Sequence, residues 1–475
     1  MASKSFFISK DHPEYQTSLL YMLRLSGPMV VSTVSFTIMQ FVDRFMLSRL
    51  GTDALAAVSP VGFVSLLPSG FALGVSTGLN TFVSQSLGRG EKAACSNYFW
   101  QLLYMGLAYC LAVVALMGPT APLIFKAMGQ PEAVAKLEVV YFRILLYAHV
   151  AAVINWSSNQ FFMGIHKPVV TMCSNLCGQA VNVIANYTLI FGKFGFPAMG
   201  IAGAGWGTFI GIGCAALINV AVFLSGPMNR QFNTRRTLNV NVGKMRDLLG
   251  VGVPAGVALM VNVAVWGVAL TALVGRFGKN ALAATSAVLA YTNLSAMPIV
   301  GISTALTAAV GKVIGAGRKN LAMRQTKVAV RVALIYMGLV GACFLFLRNS
   351  LMVFWSQDAE VIDIGSRLLV CAAFYQMFHA ARIVYGGALR GAGDTMWLAL
   401  VSGVGAIVVV GLGGSVVVRA LPSAGAVGPW IVATASIVAV GLANRWRFHS
   451  RRWMRIDLFK RRGGPAPLPV EPPNE

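Results

Sequence analysis

Apolar stretches of about 20 residues or more follow one another along nearly the whole chain, and only short polar connections separate them. A helix of that length crosses a hydrocarbon layer of ~30 Å. The pattern predicts spans near 18–46, 54–86, 96–125, 134–163, 168–191 and 199–225, then near 245–273, 281–312, 321–347, 360–388, 394–419 and 422–446. Hydrophobic residues make up 56% of the chain and charged residues 11%, against roughly a quarter charged in soluble domains. A soluble helical repeat is excluded because the connections are too short and the spans are apolar all round.

The two sets of six spans repeat each other. Gly51, Ala54, Leu55, Ala56, Ala57 and Ser59 return as Gly278, Ala281, Leu282, Ala283, Ala284 and Ser286. Gly74-Val75-Ser76-Thr77 returns as Gly301-Ile302-Ser303-Thr304, Gly88 as Gly315 and Gly164 as Gly391, always at an offset of 227 (278 − 51, 301 − 74). A duplicated membrane unit of this size is how many secondary carriers build two halves around a substrate path. The expected organisation is a cytoplasmic segment over 1–17, an amino lobe over 18–225, a basic linker over 226–244, a carboxyl lobe over 245–446, and a basic then Pro-rich tail over 447–475.

A net charge of +23 could suggest nucleic acid, but its distribution points elsewhere. Lys and Arg crowd alternate connections: Arg89 and Lys92, Lys167, Arg230 to Arg246, Arg318 and Lys319, Arg390, and the tail from Arg445. The intervening connections are sparser. That asymmetry places both termini on the cytoplasmic side of the inner membrane, and the tail suits anionic lipid head groups. Residues Ser3 to Glu14 carry no signal-peptide pattern. There is no Walker A motif, and Cys173 with Cys177 lack the histidine or carboxylate neighbours of a metal site. Gly200, Gly203, Gly205 and Gly207 open an apolar span and read as close helix packing. No cofactor is expected, and the partners are the bilayer and small molecules, with the chain working as a monomer.

Of the fifteen acidic residues, the reading places all but Asp43 in loops or tails. Asp43 lies eight residues before Gly51, roughly 12 Å of helix from the outer turn. An ionised carboxylate at that depth costs several kcal/mol unless it is paired, hydrated or protonated. A proton or small cation is one natural partner, and an arginine is the alternative, though Arg44 points about 100° away. Pro28 on the same helix, with Pro254 at the equivalent place, can act as a hinge or a fixed kink. Asn182 and Asn186 share one face of the fifth span, while Tyr141, Asn155, Asn159 and Gln160 mark the fourth and Thr208 the sixth. Such oxygens suit a hard cation or a carboxylic acid, and equally serve as helix-packing glue. In the second half the polar positions are Asn262, His379 and Arg382. His379 could carry a proton or could be a neutral histidine bonded to a neighbouring helix.

Phe41-Val42-Asp43, then Leu50-Gly51 and Ala54 to Ala57, their second-half echo, Gly387 to Thr395, and Asn182 to Asn186 before Ile190-Phe191-Gly192 together resemble the multidrug and toxic compound extrusion (MATE) family over about residues 18–446. The resemblance implies an all-α integral membrane protein of twelve transmembrane helices in two pseudo-symmetric six-helix lobes around a central cleft. It implies export of organic, often cationic compounds in exchange for protons or sodium ions, and no enzymatic activity. Asp43 resembles the essential first-helix carboxylate, Pro28 the proline at which that helix bends, and Asn182 the asparagine of the amino-lobe ion site. Tyr141, Asn159 and Thr208 resemble its neighbours. Where Asn186 stands some members carry aspartate. Members with a carboxyl-lobe sodium site carry glutamate at Asn262 and aspartate at His379, so coupling is expected through Asp43, with a proton favoured over sodium. Met39, Gln40, Trp156 and Trp266 are expected to line the substrate cleft, since aromatic, Met and amide surfaces tolerate varied shapes. The alternative reading is a lipid-linked oligosaccharide flippase of the same superfamily, kept open by Arg44, Arg143 and Arg382.

Overall fold

The computed structural model describes residue 16 and residues 18–129 and 131–459. The Pro-rich end of the expected tail and nearly all of the expected segment 1–17 lie outside them. Among the described residues every regular element is a helix, and twelve are long and apolar enough to cross a membrane. The first six are Leu19–Ser48, Pro60–Gly88, Lys92–Ala127, Glu132–Gly164, Pro168–Phe191 and Ile201–Phe223. The second six are Val242–Ala264, Lys279–Gly315, Lys319–Phe346, Ala359–Gly391, Thr395–Ala420 and Val427–His449. Helices are the answer because each satisfies its own backbone where lipid offers no hydrogen bonds.

The seventh and eleventh spans are not uniform. The seventh runs on through a π-helical turn at Val265–Ala269, and the eleventh contains another at Gly405–Gly413. Pro28 and Pro254 sit inside continuous helices, each removing one backbone donor from its ladder.

The duplication survives in conformation. Gly51 and Gly278 precede the second and eighth helices with φ of 111° and 97°, a region that residues with a Cβ rarely enter. It survives in packing too. A Cβ on Gly164 would stand 2.7 Å from Val83 Cγ1 and 3.3 Å from the Asn80 carbonyl oxygen. One on Gly391 would stand 2.6 Å from the Thr307 carbonyl oxygen and 3.2 Å from Val310 Cβ. Asn80 and Thr307, like Val83 and Val310, are the same 227 residues apart (307 − 80, 310 − 83).

Contacts divide the chain into two compact units, Val31–Gly256 and Met1–Val30 with Val257–Glu475. These cuts differ from the repeat boundary expected near residues 225–245. They fall two residues beyond each proline, because the inner parts of the first and seventh spans are held by small-residue contacts. In the first unit a Cβ on Gly74 would lie 2.7 Å from the Gly256 nitrogen and 2.9 Å from the Ala255 oxygen. In the second a Cβ on Gly301 would lie 2.9 Å from the Val30 nitrogen. Each unit has its own apolar core, one around Leu47, Phe125, Phe142 and Ile190, the other around Trp430, Leu368, Leu306 and Val384.

Candidate coupling site in the first unit

Asp43 occupies the C-terminal third of the first span and forms no ion pair among the described residues, and Arg44 beside it is exposed. Its partner is an amide: Asn186 Nδ2 donates to Asp43 Oδ1 at 2.7 Å and, more weakly, to Asn182 Oδ1 at 3.3 Å. Both asparagines are buried, and their spacing of one helical turn aims them the same way.

What lets two asparagines face the first span is the glycine ladder of the sixth. A Cβ on Gly207 would collide with the Asn186 side-chain oxygen, and one on Gly211 would lie 2.5 Å from Asn182 Cβ. Gly203 and Gly205 make equally close approaches, at 2.6 Å to the Leu189 carbonyl and 2.8 Å to Ile144 Cγ2. The small residues of this span are thus packing devices, and their packing seats the amides.

Tyr141 is buried in the core that also holds Leu47 and Ile190. Thr208 instead bonds the Ala204 carbonyl of its own helix at 2.9 Å. The Asn186 side-chain oxygen is buried without a hydrogen bond. Together with the remaining carboxylate oxygen it supplies acceptors of the kind that a protonated acid or a hard cation would satisfy.

Asn159 belongs to a second polar network in the same unit. Asn219 Nδ2 donates to Asn155 Oδ1 at 2.9 Å and to Asn159 Oδ1 at 3.0 Å. Both of these donate to Asn175 Oδ1, at 3.2 and 3.4 Å, and Asn175 Nδ2 donates to Ser32 Oγ at 2.9 Å. Ser174 Oγ closes the set on Asn219 Oδ1 at 2.8 Å. Sequence reasoning found Asn155 and Asn159 but missed Asn175, Asn219 and Ser32. Their polarity in apolar spans was the only signal.

One sequence expectation is corrected. Glu138 is not in a loop: it lies two turns into the fourth span, fully buried, and neither carboxylate oxygen has a hydrogen bond. It falls inside the expected fourth span, 134–163, and assigning the acids to loops and tails as a group passes over it.

The other expected residues are spread over both units. Met39 is half-buried and Gln40 exposed on the first span. Trp156 packs on Ala72, Cys110 and Val153. Trp266 lies in the second unit, in the π-helical turn, against that unit's core. Asn262, also in the second unit, is half-buried and makes no side-chain hydrogen bond. Arg382 Nη2 meets His379 Nε2 at 3.1 Å. Among the described residues no three metal-ligating side chains come together.

A family model, MatE, matches residues 28–188 and 254–413, two copies that open at Pro28 and Pro254. The chain belongs to the MatE family of multidrug and toxic compound extrusion transporters, and is a twelve-span membrane transporter rather than an enzyme. It is 30% identical over 447 residues to a probable multidrug resistance protein NorM of Chromobacterium violaceum, covering 90% of this chain and 94% of that one. The protein of the same name from Geobacillus kaustophilus is 30% identical over 441 residues, covering 90% and 94%. A solved structure described as the outward-facing conformation of a multidrug resistance MATE family transporter shares the fold, with a TM-score of 0.85 at 20% identity over 95% of this chain and 100% of that one.

Proposed function

We propose that this chain is an antiporter that exports organic, cationic or amphipathic compounds, drugs among them, in exchange for protons, with sodium as the alternative coupling ion. The observation that carries this reading is a membrane-embedded carboxylate, Asp43, held by an amide and, among the described residues, by no basic side chain. A carboxylate so placed keeps its charge available to a moving partner. Deprotonated, it attracts a cationic compound; protonated or ion-bound, it no longer does. The ion can drive export only through its different affinity for the two states of the carrier. Pro28, fifteen residues earlier on the same helix, gives that helix a place to bend as the charge changes. In this reading Asn182, Asn186 and Tyr141 orient the carboxylate, the protein works as a monomer in the cytoplasmic membrane, and both termini are cytoplasmic.

The experiment is dye efflux from vesicles loaded with purified protein, energised separately by a pH step and by a sodium step. Wild-type protein should respond to the pH step, and Asp43→Asn should abolish coupled efflux. Wild-type rates in the variant would end the proposal.

A further inference from the structure

The tenth span carries three arginines of the second unit, Arg367, Arg382 and Arg390; Arg367 pairs with Asp363 at 2.9 Å, whereas Arg382 has no carboxylate among the described ion pairs. Arg390 Nη2 donates to Ser303 Oγ at 2.9 Å. The carboxylate close by in sequence, Asp394, is already committed to Arg447 at 2.7 and 3.3 Å. Arg382 is different. Its contact is Nη2 to His379 Nε2 at 3.1 Å, and its Nε is buried with no acceptor.

A guanidinium can only donate. His379 Nε2 must therefore be the acceptor, which makes the ring neutral and puts its proton on Nδ1. That Nδ1 is also buried without a partner. Two N–H donors three residues apart, one of them charged, are thus left unanswered on one helical face. Buried donors left in this state are rare in folded proteins, and inside a membrane an ionisable group without a partner marks a functional position.

The geometry points to an anion site at Arg382 and His379, one that takes a monovalent anion, either the carboxylate of a zwitterionic substrate or free chloride. The carboxylate source, a zwitterionic compound as cargo, rests on the export reading above. Carboxylate is the better geometric match, since guanidinium binds it through paired donors.

The test uses full-length protein in nanodiscs and two probes, a cationic xanthene dye bearing a free benzoate and its methyl ester. Affinities come from fluorescence anisotropy. If the substrate supplies the anion, the benzoate dye should bind wild type about tenfold tighter than the ester, the scale of one hydrogen bond to a charged group, and Arg382→Gln should erase that difference while leaving ester binding unchanged. If chloride is the ligand, replacing methanesulfonate, which carries no carboxylate, by chloride at constant ionic strength should raise the unfolding temperature of wild type and not of Arg382→Gln. Arg382→Lys, which keeps the charge and loses the fork, should fall between and guards against a variant that fails to fold. The site is refuted if neither benzoate nor chloride has an effect dependent on Arg382, or if Arg382→Gln weakens both dyes equally. An ester that does not bind wild type at all would count against the export reading, while the chloride arm would still judge the site.

Discussion

Asn186 donates from Nδ2 to Asp43 Oδ1 at 2.7 Å, so the fifth span supplies the hydrogen-bond donor that holds the carboxylate of the first. The bond does two things. It fixes the carboxylate in place, and it leaves its second oxygen for a proton, ion or substrate. Asn186→Leu removes that donor without changing charge. A hydrogen bond to a charged group is worth about 1.5–3 kcal/mol, so coupled efflux should drop by roughly tenfold or more. The efflux assay under a pH step decides; an unchanged rate would mean that the amide does not position Asp43.

Asn186→Asp asks a different question of the same pair. Two carboxylates at hydrogen-bond distance cannot both stay ionised unless they share a proton or a cation. The variant should therefore hold sodium better than the native amide does. Efflux driven by a sodium step should rise relative to efflux driven by a pH step. A sodium response no larger than that of the native chain would show that charge at position 186 does not govern ion choice.

The sixth-span glycines make a steric prediction. A Cβ at Gly207 occupies the space of the Asn186 amide, whereas one at Gly213 meets nothing within 4 Å. Overpacking a well-filled site costs about 1–3 kcal/mol, while alanine in an open helical position gains up to about 1 kcal/mol in propensity. Gly207→Ala should lower the unfolding temperature and reduce efflux together. Gly213→Ala should leave both unchanged or slightly raise the first. Equal behaviour of the two would contradict the ladder's role.

Hydropathy and the offset of 227 made the twelve spans readable, because both are properties of a single strand of sequence. Asp43 stood out for the same reason: one acid in a run of apolar residues needs no geometry to be noticed. Asn182 and Asn186 followed from a spacing of four. The rest depended on which way helices face one another. Asn219 and Asn155 meet across two different spans, and no periodicity within either span encodes that. Thr208 had the right residue type, but its hydroxyl is used by its own helix. Glu138 lies inside the expected span 134–163, but that it is fully buried depends on the helices packed around it. The division into units was hidden as well. The repeat follows the order of the chain, whereas the contacts of Gly74 and Gly301 cut it beyond Pro254 and Pro28.

The asparagine network separates structural from mechanical roles. Asn219→Leu removes three hydrogen bonds at once and strands acceptors on Asn155 and Asn159. Each bond between helices in a bilayer is worth about 0.6 kcal/mol, up to about 1.7, so the variant should lose roughly 2–5 kcal/mol of stability if the three add, less if a neighbour rearranges. Ser32→Ala cuts only the link from Asn175 to the first span and should scarcely move the unfolding temperature. Yet Ser32 lies one turn beyond Pro28 on the helix that carries Asp43. If that helix bends during the transport cycle, its tie to Asn175 must loosen and reform, and removing the tie should change the efflux rate at least about twofold, which corresponds to only ~0.4 kcal/mol on the barrier. Unfolding temperature and efflux rate measured on the same two proteins tell these roles apart: a Ser32→Ala protein with native stability and native rate would show that the network braces the lobe and takes no part in the movement of the first helix.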